Sequence, residues 1–143
     1  MLKKKWVSKR QQSHSYVPDF SLPPDKWLEL DEDSQIDLVA TYHRRARIRL
    51  PNARLHTAFH VVVENQIASG EPAVLRALER LLADGLGRHD ATHAIASVLS
   101  AHIFVLLKGE RMDATVDPNL AYFEQLESLT AASWVSEYGR LEE

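Results

Sequence analysis

The sequence predicts an all-α fold: a single-domain bundle of about five or six helices around a central apolar helix at about residues 88–108. Three observations carry this. Apolar residues recur at helical spacing along most of the chain, Gly and Pro fall between those runs, and no stretch alternates as a strand does. The only β-rich run, Val61-Val62-Val63, lies inside a helical pattern. A chain of 143 residues suits one domain and can bury a substantial core.

Residues 1–26 read as an extended lead-in, because Pro18, Pro23 and Pro24 oppose a regular helix. Residues 27–143 form the expected helical domain. Trp6, Tyr16, Phe20 and Trp27 suggest that part of the lead-in lies on the body. The first helix is expected to start near Asp33 or Ser34, with Asp37 completing a capping arrangement, and to end near Ile48. Ile36, Val39, Ala40 and Tyr42 or His43 mark its helical repeat. Asn52 looks like the N-cap of a second helix reaching about Ser69, stopped by Gly70. A third helix at about 72–84 has Pro72 at an early position and Val74, Leu75, Leu78, Leu81 and Leu82 on one side.

The fourth helix, about 88–108, lies between Gly87 and Gly109 and is apolar almost all round, which marks a central element and has room for a homodimer. Asp117-Pro118 opens a fifth helix carrying Tyr122, Phe123, Leu126 and Leu129, with a bent or broken continuation through Trp134 and Tyr138.

Charge narrows the function classes. The overall -3 splits into +5 over residues 1–10 and -8 over the remainder. An acidic body is a poor platform for phosphate backbones, so nucleic acid is not expected on it, although the basic tail could touch an anionic partner. No apolar core follows the basic start as a secretory signal requires. The longest apolar stretch, residues 94–107, is broken by Ser97, Ser100 and His102 and falls short of a membrane span. The expected address is the cytoplasm. With no Cys, disulfides, thiolate metal sites and cysteine nucleophiles are excluded.

The seven His are the unusual feature. His56 and His60 form one i, i+4 pair, and His89 and His93 another. Random placement of seven His would give only about 0.3 such pairs, each on one helix face. Glu64 follows His60 by four. His56, His60 and Glu64 share an arc of about 80°, beside an apolar face of Leu55, Phe59, Val62 and Val63. That places the pair at the edge of a half-buried pocket. His102 lies opposite His93, and His14 and His43 lie off both helices, so these three stay outside the expected site.

Neutral imidazole is the commonest protein ligand for transition metals, and two helices ~8–10 Å apart, each with an i, i+4 pair, could complete a site for zinc, nickel or iron. The expected ligands are His56, His60, His89 and His93, with Glu64 as a fifth ligand, a general base or an orienting group. The metalloprotease motif is absent, because Thr57 and Asp90 stand where its Glu belongs. The competing reading is a non-catalytic interaction or adaptor module whose histidines form a structural polar network.

The stretch LPNARLHTAFHVVVENQIASGEP, followed by a Leu-rich helix and GLGRHDATHAIASVL, resembles a family of small all-helical bacterial proteins, a domain of unknown function. That family pairs an N-x-x-L-H-x-x-x-H segment with a downstream R-H-x-A-x-H segment. Here these are Asn52, Leu55, His56 and His60, then Arg88, His89, Ala91 and His93. The resemblance covers about residues 50–108. It implies an all-α bacterial domain built around these His positions, and supplies no activity. The segment LERLLADGLGRHDATHAIASVL also resembles a helix-turn-helix or a ubiquitin-associated module, but after Arg88 and His89 it turns apolar, which suits neither.

Overall fold

A computed structural model describes residues 22–45, 53–109 and 115–138. Seven helices and no strand occur among them: α1 (Pro24–Glu29), α2 (Glu32–Arg45), α3 (Ala53–Ala68), α4 (Pro72–Ala83), α5 (Arg88–Leu107), α6 (Leu120–Glu127) and α7 (Ala131–Tyr138). The all-α bundle expected from the sequence is the observed fold. The basic tail, His14, Ile48 and Asn52 lie outside the described residues.

The helix boundaries follow local chemistry. α1 begins at Pro24, inside the segment expected to be extended. Proline is at home there because a first-turn N–H has no helical partner. α2 begins at Glu32, slightly earlier than expected. Asp31, and not Ser34, is the capping side chain: its Oδ1 accepts the Ser34 N–H at 2.7 Å. Hydrogen bonding from the Ser34 side chain, and then from its backbone N–H, holds the Asp31 carboxyl below its usual range.

α3 and α4 both end in the left-handed glycine turn that their sequences predict. Gly70 has φ 79° and Gly85 has φ 102°. The Glu71 N–H closes on the Gln66 carbonyl at 2.9 Å, and the Leu86 N–H on the Leu81 carbonyl at 3.2 Å. These two turns fold α3, α4 and α5 back on one another. The expected fifth helix is broken. α6 stops at Glu127, and α7 restarts behind Thr130 and Ser133, which cap each other's backbone N–H groups.

Two apolar clusters flank α3. The larger joins Val63 to Val74, Ala77 and Leu81 of α4, Ile95 and Leu99 of α5, Tyr122 and Leu126 of α6, and Trp134. The smaller joins Val61 to Trp27, Leu38 and Val39. It is closed by hydrogen bonds in which Trp27 Nε1 and Gln35 Nε2 both donate to Asn65 Oδ1 at 2.9 Å. On α4 the buried stripe is Val74, Ala77 and Leu81. Leu75 and Leu82, expected on the same face, stand a third of a turn away and are exposed.

α5 is the central helix the sequence predicts, but only over its first two-thirds. Buried positions run from Ala91 to His102, whereas Phe104, Val105 and Leu107 are exposed. By length and composition alone α5 could cross a membrane, contrary to the shorter span expected from residues 94–107. Half of its apolar window is buried against the other helices, as in a core helix.

Candidate metal centre

α3 is buried on its polar side. Thr57, His60, Val61 and Glu64 recur at i, i+3, i+4 and i+7 and face inward. Leu55 and Val62, assigned from the sequence to the apolar face, are 49% and 40% exposed. Val63 of that face is fully buried and Phe59 packs against the larger cluster, so only Leu55 and Val62 depart from the expectation, and the reason is what packs on the other side. α3 lies between α2 and α5, and both present histidines to it.

Five histidines from three helices meet in that space. The ring centroids of His56 and His93 are 4.0 Å apart, those of His89 and His93 4.7 Å, and those of His60 and His93 6.1 Å. The sequence thus anticipated the meeting of the two pairs. It missed His43, whose ring lies 5.1 Å from His56 and 5.3 Å from both His60 and His89. The available signal was its register: His43 is four residues beyond the fully buried Val39, on the inward stripe of α2. His43, His56, His60 and His93 each offer a ligand atom, and these atoms all lie within 4.8 Å of one another. His89 stands beside this set, with its Nε2 3.2 Å from His43 Nε2. His102 is remote and stacks on Tyr122, as its position on α5 requires.

Glu64 is engaged elsewhere. Its two carboxylate oxygens accept from Arg88 Nη1 and Nη2 at 2.9 and 2.8 Å, a bidentate pair next to the histidines and not a ligand within them. Asp90 is exposed, and its carboxylate is 3.9 Å from His89 Nδ1. The Glu64–Arg88 pair also walls a cavity of about 50 Å³ lined by Leu22, Pro24, Trp27 and Ile67, on the side facing α1.

Hydroxyl groups of α5 hydrogen-bond around the cluster, one of them to a ring. Thr92 Oγ1 donates its single proton to the His89 carbonyl at 2.8 Å. Its contact of 3.4 Å with His60 Nε2 therefore uses the oxygen as acceptor, which assigns the proton of His60 to Nε2 and leaves Nδ1 with a lone pair. Ser97 Oγ donates to the His93 carbonyl at 3.0 Å. His56 Nε2 is buried with no hydrogen-bond partner, an exposed cost unless something binds it.

Burial first, and repulsion from the neighbouring imidazoles second, hold His43, His56 and His60 neutral. His43 is lowered to about 4 and His56 to about 3, and His60 lies well below its ordinary value. Neutral imidazole is the form that binds metal. It also sets the pH response of the metal-free protein. The unfolded chain takes up protons below about pH 6.5, while the folded one resists until about 4 for His43 and about 3 for His56. Stability should therefore rise with pH across that window and flatten above it. Urea midpoints at about pH 7 and about pH 5 check this, because ordinary carboxylates are still largely ionised at the lower value. Equal midpoints would contradict it, and a His43→Phe/His56→Phe variant should lose most of the slope.

No protein-family model, curated protein or solved structure matches the chain. The functional reading therefore rests on this site.

Proposed function

We propose that the protein binds one divalent transition metal ion, zinc, nickel or iron, through His43, His56, His60 and His93. The observation that supports this reading is the meeting of four imidazole donors from α2, α3 and α5 within 4.8 Å in the protein interior. Two ligands of one ion are separated by at most about 4.2 Å, twice a metal–nitrogen bond of about 2.1 Å. Four ligands in a tetrahedron stand closer still, about 3.4 Å apart, so metal binding asks for a contraction of up to about 1.4 Å at the widest pair. The unsatisfied His56 Nε2 and the lone pair assigned to His60 Nδ1 are the kind of donors such an ion uses. His89 and Glu64, expected as ligands, take outer positions in this reading.

A second reading, a metal-free polar network in an interaction module, draws on the His43–His89 and Thr92–His60 contacts. One measurement separates the two. Elemental analysis of protein dialysed against zinc or nickel should find one ion per chain in the wild type and none above background in a His60→Ala/His93→Ala variant. Equal, negligible loading of both would leave the network as the function of the cluster.

A further inference from the structure

We infer that the metal centre takes a small anion as an additional ligand, bound to the ion on the side of His89 and hydrogen-bonded by that residue. The inference rests on the metal-binding reading and concerns what must accompany the ion. All four candidate ligands are imidazoles, and imidazoles bind metal without charge. A divalent ion among them keeps its full +2. The site is deep: His60 is fully buried, and His43 and His93 are each 5% exposed. An uncompensated charge at that depth is costly.

Among the described residues no carboxylate belongs to the set. Glu64 is the nearest buried acid on the same helices, and Arg88 takes both its oxygens, so the pair contributes no net charge. Asp90 is exposed, outside the set of four. With no such carboxylate among the described residues, a small exogenous anion is the source of negative charge we assign, as hydroxide is at open zinc sites.

His89 marks where such an anion would sit. Its Nε2 is 3.2 Å from His43 Nε2, and its ring is 4.7 Å from His93 and 5.5 Å from His60, so it borders the coordination sphere. Its side chain is 15% exposed, which gives this flank an approach from solvent. If an ion took His43 Nε2, the contact between the two rings would end, and His89 Nε2 would be the imidazole nitrogen able to hydrogen-bond an anion on that flank.

Cobalt(II) is a visible stand-in for the metal, and azide for the anion. The full chain is loaded with cobalt first, and the ligand-field bands report binding before any azide is added. Azide should then change those bands saturably. A His89→Phe variant should load cobalt as the wild type does and bind azide at least about tenfold more weakly, the loss of one hydrogen bond to a charged group. His89→Gln, which keeps a donor, should recover most of that loss. Bands in the wild type that ignore azide overturn the inference and leave metal binding standing. Wild-type azide affinity in His89→Phe overturns it as well, and so does a failure of that variant to load cobalt, which would make His89 a ligand. Absence of cobalt bands in the wild type overturns the metal-binding reading itself.

Discussion

Replacing Arg88 with Leu is expected to destabilise the protein by about 3–5 kcal/mol, the penalty for stripping one partner from a buried ion pair. Glu64 is only 4% exposed, and Arg88 satisfies both of its oxygens in a fork at 2.8 and 2.9 Å. In Arg88→Leu the carboxylate stays in the interior with neither its counter-charge nor its two donors. By contrast, a Glu64→Leu/Arg88→Leu variant removes both charges together and should lie within about 1 kcal/mol of the wild type, because apolar replacements of a buried pair are often neutral. Urea unfolding of the two variants checks the contrast. Arg88→Leu within about 1 kcal/mol of the wild type would mean that water reaches Glu64, and the account of the pair as a desolvated neighbour of the histidines would fail.

The pair also has a consequence for the metal centre. In Arg88→Leu, Glu64 is released one helical turn from His60 and regains the ligand role that its spacing suggests. Tighter zinc binding in that variant than in the double variant would be the sign of it. Arg88 thus keeps the single buried acid of α3 away from the cluster, and the set of four remains all imidazole.

Local order was legible in the sequence wherever one residue type decides a backbone conformation. Gly70, Pro72 and Gly85 place the turns that set α3, α4 and α5 side by side, and their pattern needs no tertiary information. The i, i+4 spacings of His56–His60 and His89–His93 likewise put each pair on one face before any packing is known. What escaped was decided by neighbours. Leu55 and Val62 look like a core face, yet they are exposed because the polar side of α3 meets histidines from α2 and α5. His43 has no partner at helical spacing, and only the fold brings it from α2 to the two pairs. Glu64 finds Arg88 24 residues away, and Thr92 sets the tautomer of His60 across 32 residues. A helix that buries Thr57, His60 and Glu64 beside Val61 and Val63 while exposing Leu55 and Val62 breaks the local rule for stability in part, and such breaks concentrate at functional sites.

Zinc or nickel at 1,000 times its dissociation constant should stabilise the fold by about 4.1 kcal/mol, provided the unfolded chain does not compete for the ion. For a domain of this size that corresponds to a rise in Tm of roughly 10 °C or somewhat more. The effect has a structural origin: the four donors come from three helices, so one ion ties α2 to α3 and α5. α2 supplies only His43, near its C-terminal end, and is otherwise held to α3 mainly through the small cluster of Leu38, Val39, Val61 and Trp27. His43→Ala is therefore the decisive control. It leaves three imidazoles on α3 and α5 and frees α2 from the ion. If the site weakens 100-fold, about 2.7 kcal/mol of the gain disappears, leaving about 1.4 kcal/mol and a much smaller rise in Tm. Scanning calorimetry of both proteins with and without metal reads this directly. An undiminished shift in His43→Ala would show that the stabilising ion does not use α2, and the four-histidine centre would have to be redrawn without it.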